Sequence, residues 1–493
     1  MRYILYTILL ATFCLFPTTA QGTKAVINTN GPGNLSSIIA QTINDIDTLS
    51  VLGEINEIDF ETMWKCAFYG RLAYLDLEKA IPADNQIPAY AFFHPEVQSV
   101  VQNGFVDIIP PANLKTVILP ASVTKIGSNA FAYTNIEKCV LPENLTLLES
   151  YAFYKSSLSG TLDLPANLIE IGNRCFTNCE YIDKVICQSS LQEIGIMAFY
   201  ECKFSEIEFS EGLRKIGVEA FAGNPILKEV VLPSSVTTLG SASFANCFAL
   251  ERIELSDGIE FIPIEFAELC TSLKSITIPS SVLSIGEKAF YWCKSLNSIN
   301  FNEGLCGIGP NAFQYCPVET LVLPSTIKGM DHQSFGDNTH LKAIYSHATE
   351  APWAHTSKIN TATITDLPDE CNAFSGTTPF DIPVYIPVGS LKSYRRDTSY
   401  GWKRFTNIIE LSDMPPFGGT DQTVVTTKTI EIVAATGGII LRGDLIPGTP
   451  FMIYTSDGRK AAEGRLSDTE IFISLSKGIY VVTAGTSVKK LAI

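Results

Sequence analysis

The sequence of 493 residues predicts a solenoid, in which short coils stack on one another, followed by a small all-β module. Phenylalanines recur every 22–24 residues from Phe131 to Phe335, and most are followed by the aliphatic spacing Leu-x-x-Ile-x-Ile; together these two patterns predict the solenoid. After a stretch rich in proline and glycine, this period gives way to short β-rich runs, which predict the module. One compact core rarely grows to this length, which also favours a repeat array.

The first element is a predicted secretory signal at residues 1–20. Arg2 precedes the apolar run YILYTILLATFCLF, and Thr18 and Ala20 are small residues at the −3 and −1 positions of a cut before Gln21. A membrane anchor is the alternative, but the run is short for a bilayer span. We therefore expect an exported chain with no transmembrane segment after cleavage. Its formal net charge of −16 argues against general binding to nucleic acid or anionic membranes.

Residues 21–86 are predicted to cap the first coil of the solenoid. NLSSIIAQTIND has the apolar spacing of a helix, while LSVLGEI and LAYLDL have the composition of strands. This mixture predicts a cap of α/β type.

Residues 87–383 are predicted to form the repeats. In SSVLSIG, Val282 and Ile285 are candidates for burial, and Gly286 is expected to permit a tight turn. The alternating Ile-x-Ile suits a short strand with one face inward, and a proline often closes it because proline cannot donate to a ladder. A single repeat cannot bury its own apolar face, so neighbours must stack.

The repeated pattern SSVxxIGxxAFxxCxxLxxIxIP closely resembles the BspA-like class of bacterial leucine-rich repeats, over residues 87–411. The resemblance implies a leucine-rich-repeat solenoid with a parallel β ladder wound as a right-handed superhelix. Residues 384–411 resemble the segment that closes such arrays, where Tyr394, Trp402 and Phe405 would cover the last coil. Residues 25–84 resemble the N-terminal cap of the class.

Residues 412–423 are a predicted linker, and residues 424–493 a predicted β-sandwich with a hairpin turn at Asp457-Gly458. The ending KGIYVVTAGTSVKKLAI is similar to C-terminal sorting modules of some Gram-negative secreted proteins, and also to sandwich modules without a sorting role. These likenesses suggest a secreted protein, or one on the outer surface of a Gram-negative bacterium.

Thirteen cysteines raise the question of metal ligands, disulfides or packing. Zinc ligands come in close pairs, and only Cys175 and Cys179 approach that spacing. Stacked coils bring cysteines within disulfide range, but their side chains point in parallel and do not converge. Reduced thiols in the core are therefore favoured over disulfides, and no metal or cofactor is expected. The predicted core ladder comprises Phe199, Phe244, Phe290, Phe313, Cys202, Cys247, Cys293 and Cys316.

The histidines and one tripeptide are further candidate sites. His332, His340, His347 and His355 lie near acidic residues, but no pair has the spacing of a zinc motif, so exposed histidines are the favoured interpretation. Arg442-Gly443-Asp444 matches a tripeptide of some adhesion proteins, although a match of three residues is common by chance.

The outward face of the strands offers one enzymatic hypothesis. Glu206 and Glu229 would lie on neighbouring strands, near the carboxylate separation of a retaining glycosidase. Arg252 continues the same column, which equally predicts a solvated ladder of ion pairs, and the face lacks aromatic platforms for sugars. A protein without enzymatic activity is therefore predicted.

The predicted function is binding of a macromolecule by a secreted or surface protein, and the resemblance implies adhesion to host matrix or cell-surface proteins. Surface glycan capture or a structural role is the alternative. Residues 97–111 and 347–374 interrupt the repeat and are candidates for specific contacts. Candidate partner-binding residues on the strand face are Lys184, Glu206, Glu208, Glu229, Arg252, Glu254, Thr277 and Asn300.

Overall fold

The chain folds into two units, Met1–Met414 and Pro415–Ile493, which are described separately. The computed structural model describes residues 23–93, 113–354, 372–396, 401–412, 414–415 and 417, with strands of the second unit between residues 431 and 492. The predicted signal at 1–20, most of the linker at 412–423, residues 97–111, residues 355–371 of the second insertion, and Gly443-Asp444 lie outside the described residues.

The N-terminal cap is of the predicted α/β type. Strands Thr23–Asn28 and Ile46–Ile55 pair in parallel, and helices Leu35–Ile39 and Glu57–Phe68 cover them. The second helix begins at Asn56 with a capping box, whose partner Asp59 is buried and also accepts from the backbone N–H groups of Gly33 and Leu35. One carboxylate therefore fixes the starts of both helices. The cap also contains the strand Ala80–Pro82 and a 3₁₀ turn, Ala83–Asn85.

Each coil of the solenoid contributes one strand to a long-strand ladder, in which every pairing is parallel. The middle residue of a three-residue strand points inward and its two neighbours point outward, as in Arg252–Glu254. The ladder is interrupted after Val140, Glu208, Glu254 and Asn300, where neighbouring strands do not pair. Starting from Ile46–Ile55, its members in chain order are Tyr74–Asp76, Thr116–Ile118, Lys138–Val140, Ser159–Asp163, Tyr181–Ile186, Glu206–Glu208, Glu229–Val231, Arg252–Glu254, Ser275–Thr277, Ser298–Asn300, Thr320–Leu323, Ala343–Ser346, Pro383–Pro387 and Asn407–Leu411.

A second, short-strand ladder forms another side of each coil, also with parallel pairing. Each strand of this ladder has two residues, of which the second is buried and the first is exposed in most coils. The members are Gln86–Ile87, Lys125–Ile126, Leu147–Leu148, Glu170–Ile171, Glu193–Ile194, Lys215–Ile216, Thr238–Leu239, Phe261–Ile262, Ser284–Ile285, Gly307–Ile308, Gly329–Met330 and Trp353–Ala354.

The third side of each coil is a turn around the core phenylalanine. In the coil of Phe290, the N–H groups of Lys288, Phe290 and Trp292 donate to carbonyls of the next coil at 2.8, 2.8 and 3.0 Å. Lys288 and Trp292 adopt the left-handed conformation, at φ 53° and 59°, although neither is glycine. Such residues are uncommon, and here they recur because alternating the backbone hand aims every second N–H group along the solenoid axis.

The recurrent glycine before each turn has a role between coils that the sequence pattern did not predict. Gly286 directly precedes the turn but is not in the left-handed region, so no positive φ requires glycine at this position. A Cβ atom there would instead lie 2.7 Å from the backbone nitrogen of Ile264 in the preceding coil. Glycine is needed because two backbones approach too closely for any side chain.

The core is a column of phenylalanine rings. From Phe131 to Phe244 successive rings stack with centroids 5.1–5.4 Å apart, and Phe266 turns its ring edge-on to both neighbours. At the C-terminal end, Trp402 and Phe405 pack on Phe374 at 5.3 and 5.1 Å. These buried rings keep the last coil of the column from water.

The second unit contains seven described strands in two antiparallel sheets, so it is all-β in the part that the structure describes. One sheet contains Glu431–Ala435, Gly438–Arg442 and Glu470–Ser474; the other contains Lys460–Arg465, Pro450–Thr455, Ile479–Ala484 and Ser487–Ala492. The antiparallel strands Pro450–Thr455 and Lys460–Arg465 flank the predicted Asp457-Gly458 turn. The sandwich arrangement stays a prediction.

Candidate binding surfaces

The strand face is the outward surface of the long-strand ladder, and it carries all eight residues predicted to contact a partner. Lys184 lies beside Glu206 in the register of neighbouring strands, and Glu229 lies beside Arg252. The structure thus brings the charged residues into a lattice of two clusters along the middle coils, one around Lys184 and one around Arg252.

Within this lattice, each cation lies between two carboxylates. Lys184 Nζ is 3.3 Å from Glu206 Oε2 and also bonds Glu208, while Arg252 bonds both Glu229 and Glu254. Hydrogen bonding to Glu208 raises the pKa of Lys184, and the contact with Glu206 adds to this. These exposed pairs contribute little to stability, because water and salt screen them.

The two glutamates of the enzymatic hypothesis share the same kind of environment. Glu206 and Glu229 side chains are 66% and 55% exposed, and each is bound to its own cation. The groove beside them, of about 790 Å³, is also lined by Glu208 and Glu211. A retaining glycosidase needs one carboxyl in a dry, apolar setting and the other in a polar one. This geometry instead supports a lattice of ion pairs.

Beyond Arg252, the strand face changes from charged to neutral and then to aromatic. Asn300 Nδ2 donates to Thr277 Oγ1 at 3.3 Å, and the rings of Tyr345 and Tyr385 stack at 4.7 Å near the C-terminal cap. The tyrosine pair escaped prediction because the second insertion places the two residues forty positions apart in the chain. Their shared register, next to each other on paired strands, is visible only in the fold.

A second surface, the aromatic rim, consists of half-buried aromatic residues within two positions of a core phenylalanine. Its N-terminal patch is Tyr133, Tyr151 and Tyr154, and its C-terminal patch is Tyr291, Trp292 and Tyr315. In the N-terminal patch, Tyr154 lies 5.3 Å from Tyr133 and 5.4 Å from Tyr151 between ring centroids. Burial, together with the neighbouring tyrosines, raises the pKa of Tyr133 to about 12.

The C-terminal patch combines aromatic rings with a lysine. Trp292 lies 5.6 Å from Tyr315 and 6.3 Å from Tyr291 between ring centroids, and Lys294 Nζ is 4.0 Å above the Trp292 ring. Tyr315 is 38% exposed, and burial together with Asp337 raises its pKa. The rim was not among the predicted sites, although AFYWC and AFQYC display it in the sequence. The predicted contacts lay on the strand face and in the two insertions, residues 97–111 and 347–374.

Comparison with known proteins identifies the repeat. A family model for the BspA type leucine-rich repeat region matches in six copies, at residues 55–159, 85–195, 150–266 and 264–366. The chain belongs to this BspA-type family. A search of curated protein sequences found no match.

The solved structure of one leucine-rich repeat protein shares the fold of this BspA-type protein, and two others resemble it less closely. A leucine-rich repeat protein from Bacteroides ovatus is 19% identical, with a TM-score of 0.53, over 80% of this chain and 97% of that one. The pneumococcal vaccine antigen PcpA is 19% identical, with a TM-score of 0.33, over 63% of this chain and 82% of that one. A leucine rich cell surface protein from Faecalibacterium prausnitzii is also 19% identical, with a TM-score of 0.32, over 73% and 89%.

Six buried cysteines of the BspA-type coils, each three or four residues after a core phenylalanine, act as hydrogen-bond donors. The thiols of Cys179, Cys202 and Cys316 donate to the carbonyls of Phe153, Phe176 and Phe290 in the preceding coils, at 3.0, 2.9 and 3.2 Å. Cys247 and Cys270 make the same bond to Phe221 and Phe244, whereas the thiol of Cys293 donates to the carbonyl of Ala267, the residue after core Phe266. Asn224 and Asn338 occupy this position in other coils, and their amides donate to the same carbonyl. The position therefore holds a hydrogen-bond donor in each of these coils, a role that the prediction of reduced thiols in the core did not include.

All eleven cysteines that the structure describes are free thiols. Burial raises the pKa of Cys247 to about 12 and that of Cys202 well above its usual value, so these groups stay protonated and weakly nucleophilic. Within the described part of the chain, no group of three or more His, Cys, Asp or Glu residues is arranged to hold a metal ion. His355 lies outside that part. None of the described helices combines the length and the apolar character of a membrane span.

Proposed function

We propose that this BspA-type protein is a secreted or surface-held binding protein, without enzymatic activity, that adheres to host matrix or cell-surface proteins. The signal-like N-terminus supports export, and the Faecalibacterium relative is described as a cell surface protein. The sorting-like ending supports the outer surface of a Gram-negative bacterium. The aromatic rim is the observation that carries the proposal.

The rim supports protein binding because of its residue types and their exposure. Tyrosine and tryptophan dominate the energetics of protein interfaces, where they fill pockets in the partner. Trp292 and Tyr315 remain partly exposed although the column of phenylalanines already fills the core beneath them. A lysine accompanies each patch, Lys155 in one and Lys294 in the other, so an acidic surface on the partner fits both.

The spacing of the two patches suits an extended partner. Six coil steps separate the turn of Phe153 from that of Phe290, which at the spacing of neighbouring strands is about 29 Å. A single partner that binds both patches would have a higher overall affinity, because once the first patch is bound, binding to the second is intramolecular.

The test uses the full chain without residues 1–20, applied to immobilised fibronectin, laminin and collagen and to mucosal cell extracts. Truncation of a tryptophan hot spot costs about 2 kcal/mol or more, which is roughly 30-fold in affinity. We therefore expect Trp292→Ala/Tyr315→Ala to weaken binding by at least that factor, with an unchanged thermal unfolding transition.

The strand face supplies the matched control. Glu206→Gln/Glu229→Gln should leave binding within twofold of the unaltered protein. If this variant abolishes binding while the rim variant retains it, the strand face is the adhesive surface and the proposal for the rim is wrong. Failure of the unaltered protein to bind any protein in the matrix panel or the extracts would refute the adhesive function.

A further inference from the structure

A polar groove lies along the corner between the long-strand and short-strand ladders, on neither of the surfaces considered above. It has a volume of about 740 Å³ and crosses five successive coils, from Ser122 to Arg214. Each coil contributes one to three polar side chains from the segment between its two strands. The groove lies within the first unit, Met1–Met414, and all its lining residues are among those that the structure describes.

Two asparagines in the groove are held in fixed orientations. The Asn144 amide donates to the carbonyl of Ala121 at 2.9 Å, and the Asn167 amide donates to the carbonyl of Glu143 at 2.8 Å. Each bond uses the NH₂ group and leaves the side-chain carbonyl as an acceptor. Because the anchoring carbonyl belongs to the preceding coil, the two acceptors repeat with the period of the solenoid.

Further along the groove, the polar groups are unpaired. Ser190, Gln192 and Arg214 form no side-chain hydrogen bond or ion pair with the described residues, whereas Lys184 and Lys215 nearby are bound to glutamates. The groove thus offers hydroxyl, amide and guanidinium groups that a ligand can bind without breaking an existing contact.

The charge of the groove limits the class of ligand. No carboxylate lines it, although the protein carries a formal net charge of −16, and Arg214 at one end is its one charged residue. Ile169, which is 44% exposed, gives an apolar patch in the middle. Hydroxyl and amide groups around a small apolar surface match a ligand that is rich in hydroxyl groups and uncharged.

The spacing of the coils points to a polymer. Neighbouring coils lie about 4.8 Å apart, so the four steps of the groove span about 19 Å. One pyranose ring of an extended glycan is close to one coil in length, so its hydroxyl groups stay in register with the side chains. An extended peptide advances about 3.3 Å per residue and loses this register. We propose that the groove binds an extended, neutral polysaccharide, independently of the aromatic rim.

The test is affinity electrophoresis of the full chain without residues 1–20 in gels that contain hydroxyethyl cellulose, galactomannan or polygalacturonate. We expect retardation by at least one neutral polymer, and a loss of affinity of fivefold or more in Ser190→Ala/Gln192→Ala. Arg214→Gln should weaken binding less. Thr237→Ala/Glu260→Gln, which alters the same corner in the next two coils, is the matched control and should bind as the unaltered protein does.

The outcomes separate this site from the rim. Trp292→Ala/Tyr315→Ala should keep its affinity for polysaccharide, and the groove variant should keep its affinity for proteins. The proposal is overturned if neither neutral polymer retards the protein, if polygalacturonate binds more tightly than both, or if the groove and control variants lose affinity equally. Circular dichroism of each variant confirms that the coils remain folded.

Discussion

Replacement of Cys202 tests whether the cysteine column is a set of hydrogen-bond donors or only of small apolar groups. The thiol is fully buried and donates to the carbonyl of Phe176 at 2.9 Å. Cys202→Ala removes a hydrogen bond worth about 1 kcal/mol and leaves a cavity of about one heavy atom, worth roughly another 1 kcal/mol. We expect the free energy of unfolding to fall by about 2 kcal/mol.

The serine variant distinguishes the two roles. Cys202→Ser keeps a donor within reach of the Phe176 carbonyl, so it should cost less than the alanine variant, about 1 kcal/mol. If the position required only a small apolar group, burial of an unpaired hydroxyl would make serine the more harmful change. The two interpretations therefore predict opposite orders for the same pair of variants.

Cys187 is the matched control. It is 1% exposed, like the column, but its thiol has no hydrogen-bond partner among the described residues. Cys187→Ser should consequently destabilise more than Cys187→Ala, the reverse of the order at Cys202. The midpoints of urea unfolding, followed by circular dichroism in reducing buffer, measure both orders. The same order at both positions would refute the donor role.

Three further predictions concern backbone packing, pH and thiol reactivity. Gly286→Ala should lower the free energy of unfolding by about 2 kcal/mol or more, because the added Cβ atom would lie 2.7 Å from the backbone nitrogen of Ile264. At Gly307 a Cβ atom would have no neighbour within 4 Å, so Gly307→Ala should leave the midpoint of the same urea titration unchanged. Burial alone would raise the pKa of Asp337, but hydrogen bonds from Thr377 and Gln314 outweigh it and lower the pKa below its usual value. The resulting stabilisation is present above the pKa of Asp337 in the unfolded chain, near 4, and is lost as the pH falls through its lower pKa in the folded protein. Asp337→Asn should therefore reduce the free energy of unfolding at pH 7, and this loss should shrink towards pH 3. A loss that stays constant with pH would contradict the lowered pKa of Asp337. Because burial raises the pKa values of the thiols, the buried cysteines should react slowly with a thiol reagent in the native protein. After denaturation without reductant, at least the eleven free thiols should react with the reagent. A smaller number of reactive thiols would indicate disulfides.

Local patterns in the sequence were sufficient to predict the architecture. The period of the phenylalanines and the Leu-x-x-Ile-x-Ile spacing predict stacked coils, because each coil repeats the same contacts with its neighbours and no distant pairing is needed. The outward positions of Lys184 and Arg252 followed from strand alternation alone. The α/β cap was likewise predicted from apolar spacing.

Features that arise between coils could not be predicted in the same way. The role of Gly286 depends on how closely the backbone of the preceding coil approaches, and the thiol of Cys202 finds its acceptor 26 positions away in the chain. The rim was visible as AFYWC, but its half-exposed state was not, because aromatic residues beside a core position are equally compatible with burial.

The sequence by itself determined the coil, its period and the family, because these depend on interactions that recur at short, regular separations. Only the tertiary structure decided which side chains share the other surfaces: the stacking of Tyr345 on Tyr385, the aromatic rim and the polar groove. It also decided that Glu229 and Arg252, for which the sequence left two interpretations open, form an ion pair. Each of these surfaces is assembled from several coils. The physical reason is that neighbours across coils are set by the axial stacking of backbones, which brings together residues that lie 22 or more positions apart in the chain.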